Sequence, residues 1–538
     1  MFKYAVHSTL QVACHLSARQ FYRQRDQFEQ VQRQHLTRLL ALKAAAGQAG
    51  VLQGVSSWEA FRDTQPLTRY ADWQQAIAQQ RAGNSRLIDS QLVRYQPTSG
   101  SSEKLKLIPY SRAFLGELDA AICPWIASIY RNHSAIKKGV HYWSVSWLPQ
   151  NQFSELRGNL NDDSELLGGV KRWITARSQA VPAGVALTPS PSASLFATLC
   201  YLVAAADLTV MSVWSPTFAL QLLDMLLASG DEVARVLEQG SWGDRNDALR
   251  SLVPPLAPAR AALLREALRC PDQLAQQLWP QLALISAWDT ADAAPWAQQL
   301  RQRVPQAAFE GKGLWATEGV VTIPIDDVYP LAYRSHVYEF EDMGSGEVKA
   351  PWELREGDEV SPVLSSGNGL LRYALDDRLV VSGFWGKVPC FRFLGRRNGV
   401  DMVGEKMSPE AARCVLQKVA RQFELEPVTL LALSSQVPGE SSYVGVFGHA
   451  SQSRPTRLSE QVGRTLEQEL GSHFHYALAR DLKQLAPARA LLATDGWMLN
   501  KQIAMAAGMI EGNIKPEPIR KVPQAIFWKL VDGCEASA

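Results

Sequence analysis

The sequence predicts an α/β protein with a large N-terminal body and a smaller α+β C-terminal domain. Apolar runs typical of buried strands alternate with helical patterns between residues 92 and 317, the order expected of a layered sheet with helices on its faces. Short β-type segments with glycine-rich turns lie between residues 337 and 394 and predict an antiparallel, β-barrel-like subdomain. Beyond residue 399 the order is helix, strand, strand, helix, so a further α+β module is expected.

The predicted elements of the body follow from local patterns. Residues 8–47 carry apolar positions at helical spacing and predict one or two amphipathic helices, and Pro66 divides residues 58–83 into two helices. Residues 92–95 and 104–109 are predicted as short strands on either side of a polar loop. The remaining predicted elements are helices over residues 111–132, 192–206, 216–228 and 251–277 and strands over residues 208–213, 281–288, 313–317, 337–341, 360–364, 370–375, 378–384 and 390–394.

A cluster of glycine and charged residues at 395–399 marks the predicted domain boundary. We place the N-terminal domain at residues 1–398 and the C-terminal domain at residues 399–538; the latter has ~140 residues, a normal domain size. The predicted elements of the C-terminal domain are helices over residues 408–423, 458–470 and 476–485 and strands over residues 428–434 and 442–447.

The composition is that of an ordinary globular protein. With 46% hydrophobic and 20% charged residues, the 538-residue chain does not belong to the disordered, collagen-like or disulfide-scaffold classes. Its 55 Lys and Arg against 53 Asp and Glu leave a net charge of +2, which creates no overall field to attract nucleic acid or an anionic membrane. The seven cysteines form no Cys-x-x-Cys pair, so neither a zinc site nor a disulfide framework is expected.

The N-terminus and the hydropathy pattern bear on localisation. The first residues lack the unbroken apolar core of a signal peptide, and the most apolar run, residues 195–206, is shorter than the ~20 residues of a membrane-spanning helix. We therefore expect a cytoplasmic monomer that has neither nucleic acid nor a membrane as a partner.

The polar loop between the first two predicted strands is the most informative stretch. Hydroxyl groups, a glycine backbone and lysines can all donate to phosphate oxygens. The donors are Ser99, Gly100, Ser101, Ser102, Lys104 and Lys106. The pattern is neither the Gly-x-x-x-x-Gly-Lys-Ser/Thr phosphate loop nor a Gly-x-Ser-x-Gly nucleophile elbow. A solvated turn remains the alternative to a phosphate loop.

Carboxylates follow two other predicted strands. Thr317 and Glu318 place a hydroxyl and a carboxylate at a strand end, which suits Mg²⁺ and a phosphate. Asp376 and Asp377 follow a further strand, where a carboxylate can accept both hydroxyls of a ribose. Taken alone, each pair is more typical of a charged turn that faces water.

In this order, the motifs resemble the Gretchen Hagen (auxin-responsive promoter) family of acyl acid amido synthetases, within the adenylate-forming superfamily. The resemblance runs over nearly the whole chain. Its motifs are Tyr70-Ala-Asp72-Trp, Tyr95-Gln-Pro-Thr-Ser-Gly-Ser-Ser, Leu278-Trp279-Pro280, Thr317-Glu318-Gly319, Val337-Tyr338-Glu339-Phe340, Gly369-Leu-Leu-Arg372-Tyr373, Ser382-Gly383-Phe384 and Gly512-Asn-Ile-Lys515-Pro516.

The resemblance implies an activity, cofactors and partners. A substrate carboxylate attacks the α-phosphate of ATP and displaces pyrophosphate, and the amine of an amino acid then captures the acyl adenylate as an amide. ATP and Mg²⁺ are the implied cofactors, and a small carboxylic acid and an amino acid are the implied substrates. The C-terminal domain is implied to be a mobile lid.

The resemblance also implies roles for individual residues. Glu318 is implied to bind Mg²⁺ and to act in catalysis together with Lys515, the lysine of the mobile domain, whose cation would offset charge in the transition state. The residues implied to contact the nucleotide are Ser99, Gly100, Ser101, Ser102 and Lys104 in the phosphate loop, Thr317 beside it, Tyr338 as an aromatic neighbour, Asp377 at the ribose and Arg396 at the hinge.

Two departures from the family pattern keep other functions open. Glu103 stands where the loop usually has glycine, and Asp376 stands where glycine normally precedes the ribose carboxylate. A carboxylate next to triphosphate is repulsive unless it points away or binds Mg²⁺. The alternatives are a ligase that uses coenzyme A or a carrier-protein thiol as acceptor, and a non-catalytic relative that retains the fold.

Ordinary core and rim packing is expected for most of the tryptophans, and an acyl pocket for an aromatic or alkyl acid is the alternative. The candidates are Trp143, Trp147, Trp214, Trp288 and Trp315. A hydrogen-bonded structural histidine is the default for His336, although its position before Tyr338 would let it reach that pocket.

Overall fold

The computed structural model describes two compact units, one up to Gly395 and one from Arg396 onward. The predicted boundary between residues 398 and 399 stays a prediction. The described residues are 2–44, 46, 55–97, 106–145, 178–397, 399–400, 402–403, 405, 407–435, 437, 439–449, 456–481, 483–509, 511 and 514–535. The α/β fold class with a separate C-terminal sheet is confirmed.

The first unit combines helices with a parallel sheet and an antiparallel sheet. The parallel sheet has the strand order β3-β4-β5-β6, and the antiparallel sheet has the order β10-β9-β11-β13-β14 with β12 paired to β11. Its helices are α1 (Phe2–Arg23), α2 (Phe28–Lys43), α3 (Trp58–Thr64), α4 (Tyr70–Arg81), α5 (Arg112–Asn132), α6 (Pro191–Ala204), α7 (Pro216–Gln239), α8 (Asn246–Leu249), α9 (Pro258–Ala267), α10 (Leu274–Leu278) and α11 (Ala294–Arg303). Its strands are β1 (Leu92–Pro97), β2 (Leu107–Ser111), β3 (Val140–Trp143), β4 (Leu208–Ser212), β5 (Leu284–Ala287), β6 (Ala308–Gly311), β7 (Trp315–Ala316), β8 (Gly319–Val320), β9 (Val337–Asp342), β10 (Val348–Lys349), β11 (Glu359–Ser365), β12 (Tyr373–Ala374), β13 (Asp377–Trp385) and β14 (Val388–Arg396).

The parallel sheet is buried on both faces, because successive side chains of a strand point to opposite sides. Val210 and Leu284 lie in the core that also contains residues of α5, whereas Met211 and Ile285 lie in the core formed with α6 and α7. Helix α5 is capped by Ser111, the last residue of β2, whose hydroxyl accepts from the Phe114 N–H at 3.1 Å. It therefore begins directly after β2 and carries its apolar residues into the first core.

Helix α5 is long and apolar enough to cross a bilayer by length and composition. Its most apolar window is 61% buried within the fold, as is usual for the core helix of a globular protein.

Lys43, at the end of α2, is a buried lysine held by backbone carbonyl groups. Its ammonium donates to the Leu87 and Gly369 oxygens at 2.9 Å each and lies 5.1 Å from the Trp73 ring centroid. Burial lowers the pKa of Lys43 from 10.5 to about 8. The charged form is therefore disfavoured in the folded state.

We expect Lys43 to make the unfolding free energy rise with pH. Because its pKa is lower in the folded state, the unfolded state binds more protons between pH 8 and pH 10.5, and the charged group costs about 3 kcal/mol below this window. In denaturant titrations, the unfolding free energy of wild type should therefore rise relative to that of Lys43→Met as the pH increases from 8 to 10.5. The exposed Lys138→Met variant is the control and should show no such shift; a flat difference for Lys43→Met would contradict this prediction.

The second unit is built on a mixed sheet with the strand order β17-β16-β15-β18, in which β15 and β16 are antiparallel and the outer pairs are parallel. Both sheet faces are covered, since Leu430 and Leu431 belong to different apolar clusters. Its helices are α12 (Pro409–Phe423), α13 (Thr456–Gly471), α14 (Phe474–Asp481), α15 (Gly496–Ala506) and α16 (Gln524–Glu535). Its strands are β15 (Glu426–Ser434), β16 (Ser442–Gly448), β17 (Arg489–Ala493) and β18 (Ile519–Pro523).

Candidate active site

The structure brings the two predicted acidic motifs together in the first unit. Thr317 and Glu318 form the turn between β7 and β8, and Asp377 begins β13. Tyr373, which shortly precedes Asp377 in the chain, contacts Glu318, and the charge of Asp377 contributes to raising the pKa of Glu318. The predicted phosphate-loop residues Ser99, Gly100, Ser101, Ser102 and Lys104, with Glu103, lie outside the described residues.

Glu318 is half-buried and is contacted by a tyrosine. Tyr373 donates its hydroxyl to Glu318 Oε1 at 3.2 Å. Burial raises the pKa of the Glu318 carboxyl, while this hydrogen bond and the positive charge of Lys106 act in the opposite direction. The carboxylate therefore sits where a further cation would be stabilising.

Asp377 offers an unused acceptor. It is only 8% exposed, and its Oδ1 has no hydrogen-bond partner among the described residues. A buried acceptor without a donor costs about 1–3 kcal/mol, so such an atom indicates a site for a ligand hydroxyl or water. Asp376 instead pairs with Arg69 at 2.6 Å, and both side chains are exposed. Asp376, which stands where the family normally has glycine, is therefore neutralised by Arg69 at the surface.

The turn that carries Glu318 is fixed through its backbone. Tyr110 donates to the Thr317 carbonyl oxygen at 3.0 Å, and Asn368 donates to the Glu318 carbonyl oxygen at 3.4 Å. Sequence reasoning assigned no role to Tyr110, Asn368 or Tyr373. Only Tyr373 carried a signal, because it stands inside a motif of the family resemblance.

A Glu117–His336 pair connects the two motifs. The Val320 N–H donates to His336 Nε2 at 3.1 Å, so that nitrogen is the acceptor, and Nδ1 donates to Glu117 Oε2 at 2.8 Å. The Gly367 N–H donates to the same carboxylate at 2.9 Å. His336 is therefore a structural link between the Glu318 turn and the loop that precedes Asp377, and both of its ring nitrogens are engaged within the fold.

The place of Tyr338 beside the nucleotide stays a prediction, and the structure shows what its side chain contacts within the fold. Its side chain is fully buried, and its hydroxyl donates to the Val320 carbonyl oxygen at 2.6 Å. Strand β9 is covered on both faces, so an alternating strand pattern does not bring this ring to a surface. We assign Tyr338 to the core, where it fixes the backbone next to Gly319.

Arg372 holds the segment between the two motifs. Its backbone adopts φ +45°, unusual for a non-glycine residue, and its guanidinium binds Glu339 at 2.8 and 3.1 Å. It also donates to the Arg62 and Gln65 carbonyl oxygens. Because Tyr373 comes next in the chain, this buried pair sets the position of the hydroxyl that reaches Glu318.

In the second unit, Arg396 and Lys515 are both close to Glu517. Arg396 Nη1 lies 3.5 Å from Glu517 Oε1, and Arg520 Nη2 donates to the Lys515 carbonyl oxygen at 3.1 Å. Burial acts to raise the pKa of Glu517, but the charges of Arg396, Arg520 and Lys515 outweigh it and the pKa is lowered. The segment that carries the predicted catalytic lysine is therefore anchored electrostatically.

Most of the predicted pocket tryptophans lie together. The ring centroids form a chain, which we call the tryptophan chain: Trp143–Trp125 at 5.7 Å, Trp125–Trp315 at 5.2 Å, Trp315–Trp214 at 5.5 Å and Trp214–Trp288 at 5.7 Å. Trp125 on α5 was not predicted, and Trp147 lies outside the described residues.

The described residues fit a nucleotide and a single metal ion. The unpartnered Asp377 Oδ1 is suited to accept hydrogen bonds from ribose hydroxyls. Mg²⁺ in nucleotide sites is usually bound by one or two protein carboxylates together with substrate phosphates, and Glu318 can provide one such carboxylate. Within the described part of the chain, no cluster of three or more His, Cys, Asp or Glu residues forms an all-protein metal cage.

The fold is that of an acyl acid amido synthetase. A solved structure named GH3.15 acyl acid amido synthetase matches with a TM-score of 0.71 and 16% identity over 95% of this chain and 94% of its own. A second, AtGH3.15 acyl acid amido synthetase in complex with 2,4-DB, matches with a TM-score of 0.74 and 18% identity over 97% and 96%.

The sequence comparisons identify the family. The chain matches the GH3 family N-terminal domain over residues 17–309 and the GH3 family central domain over residues 329–396. The chain belongs to the GH3 family, which confirms the predicted resemblance. A curated Arabidopsis thaliana relative, provisionally named an indole-3-acetic acid-amido synthetase, GH3.9, is 26% identical over 231 residues. That match spans 36% of this chain and 38% of the length of the relative.

Proposed function

We propose that this protein is an ATP-dependent acyl acid-amido synthetase, an AMP-forming ligase. It activates a small carboxylic acid as an acyl adenylate, releases pyrophosphate and transfers the acyl group to the amine of an amino acid. The observation that carries the proposal is a pair of acidic residues, Glu318 and Asp377. Glu318 accepts a hydrogen bond from Tyr373, and the charge of Asp377 acts on its pKa. The buried Oδ1 of Asp377 has no hydrogen-bond donor among the described residues. Membership of the GH3 family and the fold of its solved members support the same activity.

Each described side chain has a part in this activity. Asp377 accepts the ribose hydroxyls and so fixes the nucleotide, while Tyr373 orients the Glu318 carboxylate. Mg²⁺, when bound at Glu318, supplies positive charge beside the triphosphate. The Glu117–His336 pair keeps the two motifs in register through Val320 and Gly367. Because the chemistry relies on positioning and charge, no side-chain nucleophile is required.

Pyrophosphate exchange tests the first half-reaction. Purified protein with ATP, Mg²⁺ and labelled pyrophosphate should return label to ATP only when a suitable acid is present. Mass spectrometry of reactions with mixed acids and mixed amino acids should then reveal an amide. If pyrophosphate exchange occurs but the only product is a thioester formed with coenzyme A, the protein is a ligase with a thiol acceptor. If neither exchange nor ATP binding is detected, the protein is a non-catalytic relative that retains the fold.

We expect Asp377→Asn to raise the KM for ATP by about tenfold to a hundredfold, because a hydrogen bond to a charged group contributes about 1.5–3 kcal/mol. The adjacent Asp376→Asn is the matched control, since that carboxylate is exposed and paired with Arg69. Its KM for ATP should stay within about threefold of wild type. Equal effects of the two substitutions would contradict the ribose role of Asp377.

A further inference from the structure

A row of polar side chains crosses one face of the parallel sheet at its carboxyl-terminal end. In the strand register Trp143 pairs with Ser212, Ser212 with Ser286, and Ser286 with Glu310. Paired residues of neighbouring strands point to the same face. The preceding row on this face contains Val210 and Leu284 and is apolar at these positions, so the change in polarity is confined to the strand ends.

Lys312, directly after β6, extends this row. It is 7% exposed, and its ammonium donates to Ser212 Oγ at 2.8 Å. The same ammonium lies 5.1 Å from the Trp125 ring and 4.7 Å from the Trp214 ring. Glu310 accepts from Trp125 Nε1 at 2.7 Å, and burial raises the pKa of its carboxyl to about 7. We call Ser212, Ser286, Glu310 and Lys312 the polar floor.

Ser286 is the incomplete member of the polar floor. It is 1% exposed, and its hydroxyl has no hydrogen-bond partner among the described residues. A fully buried hydroxyl without a partner is costly and is retained where a ligand or a water completes it. This is the observation that points to an occupant.

The tryptophan chain borders the polar floor. Trp125 donates a hydrogen bond to Glu310, and Trp143 is the strand partner of Ser212. The Trp214 ring lies against the ammonium of Lys312. Trp143, Trp214, Trp288 and Trp315 are all partly exposed, so aromatic surface continues from the buried polar groups toward solvent. An aromatic wall with a few convergent polar groups is the usual composition of a small-molecule site.

The location agrees with a substrate site. Ligands of open α/β sheets bind outside the carboxyl ends of the parallel strands. Trp315 stands in β7, immediately before the turn of Thr317 and Glu318. A molecule against the tryptophan chain would therefore lie next to the nucleotide motif.

We propose that the polar floor binds an oxygen substituent of the acyl substrate, at the end remote from its reacting carboxylate. The substrate class is thus an aromatic carboxylic acid with a second oxygen group, either a hydroxyl or a carboxylate. Lys312 donates to that oxygen, Ser286 gains its missing partner, and the tryptophan rings stack on the planar body. This inference rests on the proposed function, because it concerns the acid that is activated.

Direct binding tests the inference without catalysis. Cinnamate, 4-hydroxycinnamate and 4-carboxycinnamate are titrated into the full-length protein without ATP and followed by tryptophan fluorescence and calorimetry. At least one of the acids that carry a second oxygen group is expected to bind about tenfold or more tightly than cinnamate, because only it pairs with buried polar groups. Equal affinity for all three acids, or no binding by any of them, would overturn the inference.

Two variants and a matched control assign the effect to the polar floor. Ser286→Ala and Lys312→Met should remove the preference for the second oxygen and leave the affinity for cinnamate within about threefold. Ser144 is as buried as Ser286 and also lacks a partner among the described residues, but it follows Trp143 and points to the opposite face. Ser144→Ala should keep the preference; its loss in this control would overturn the inference.

The experiment separates this inference from the proposed function. A preference for the second oxygen without pyrophosphate exchange would refute the proposed activity and leave the binding site intact. Exchange with acids that show no such preference would refute the substrate class alone. If Lys312→Met unfolds, as judged by circular dichroism, the smaller change Ser286→Ala still decides the outcome.

Discussion

Replacing Lys515 with alanine is expected to lower the rate of acyl adenylate formation by about 100-fold or more, because loss of one group that stabilises transition-state charge typically has this effect. The affinity for ATP and for the acid should change little, since the proposed interaction is made only as charge develops. The measurement is pyrophosphate exchange at saturating ATP and acid, with ATP affinity determined by calorimetry.

The second unit provides a matched control for Lys515. Lys521 lies on β18 in the same unit and has no proposed role, so Lys521→Ala should retain exchange within about twofold of wild type. The Lys515 backbone carbonyl accepts from Arg520, and this bond does not involve the side chain that is removed. Near-normal pyrophosphate exchange by the Lys515→Ala variant would contradict the proposed role of Lys515 in stabilising transition-state charge.

Arg396 requires a different interpretation from Lys515. Its guanidinium pairs with Glu517, which also feels the charges of Arg520 and Lys515, so Arg396 stabilises the segment of the lysine in the described structure. Its predicted place at the nucleotide stays a prediction. The ion pair indicates that Arg396 can act on the lysine segment without touching a phosphate.

Local sequence patterns predicted helices of the first unit well where the pattern lies within a single helix. The helix that begins at Pro216 was predicted, because proline suits the first helical turn. Its predicted end at residue 228 coincides with a kink at Ser229, whose backbone is non-helical (φ −117°, ψ 16°). A second helical stretch, in which Val233 and Leu237 are buried, continues to Gln239. The helix predicted over residues 251–277 is wrong in its first part, because the prolines before Pro258 cannot continue a helix. It is also divided into α9 and α10 between Ala267 and Leu274, where Pro271 begins a short 3-10 turn.

Elements that depend on distant partners were missed. Strands β3 and β6 have four residues each, and they become strands only by pairing with β4 and β5. Residues 370–375 have a strand-like composition, yet only Tyr373–Ala374 pair with β11, because Gly369 and Arg372 both take positive φ. Arg372 is also held by its ion pair with Glu339, a contact between distant residues that no local pattern contains.

The same distinction applies to the site. Glu318 and Asp377 stay predictions as site residues. Each was selected from a short motif, but the Tyr373 bond that orients Glu318 arises from tertiary structure. The Glu117–His336 link joins residues more than two hundred positions apart, so neither partner indicated the other. A short motif can therefore indicate a candidate carboxylate in a turn, whereas the groups that hold it in place come from distant parts of the chain.

The buried pair of Arg372 and Glu339 is expected to have the largest effect on stability. Both side chains are nearly inaccessible, at 5% and 2% exposure. Arg372→Leu should lower the unfolding free energy by about 3–5 kcal/mol, because it leaves a buried carboxylate without its cation. Denaturant unfolding measures the change. Arg378→Leu, which breaks a more exposed pair with Glu359 in the same sheet, should cost no more than about 1 kcal/mol.

Removing both partners and varying pH distinguish an ion-pair effect from loss of packing. Glu339→Leu in the Arg372→Leu background should recover part of the lost stability, because the stranded charge is then absent. Burial raises the pKa of Glu339 against the opposing charge of Arg372. Without Arg372 the folded state holds this proton more firmly, so the deficit of the single variant should be smaller at about pH 5 than at about pH 8. A deficit that is independent of pH and additive in the double variant would mean that the Arg372 side chain acts through packing alone.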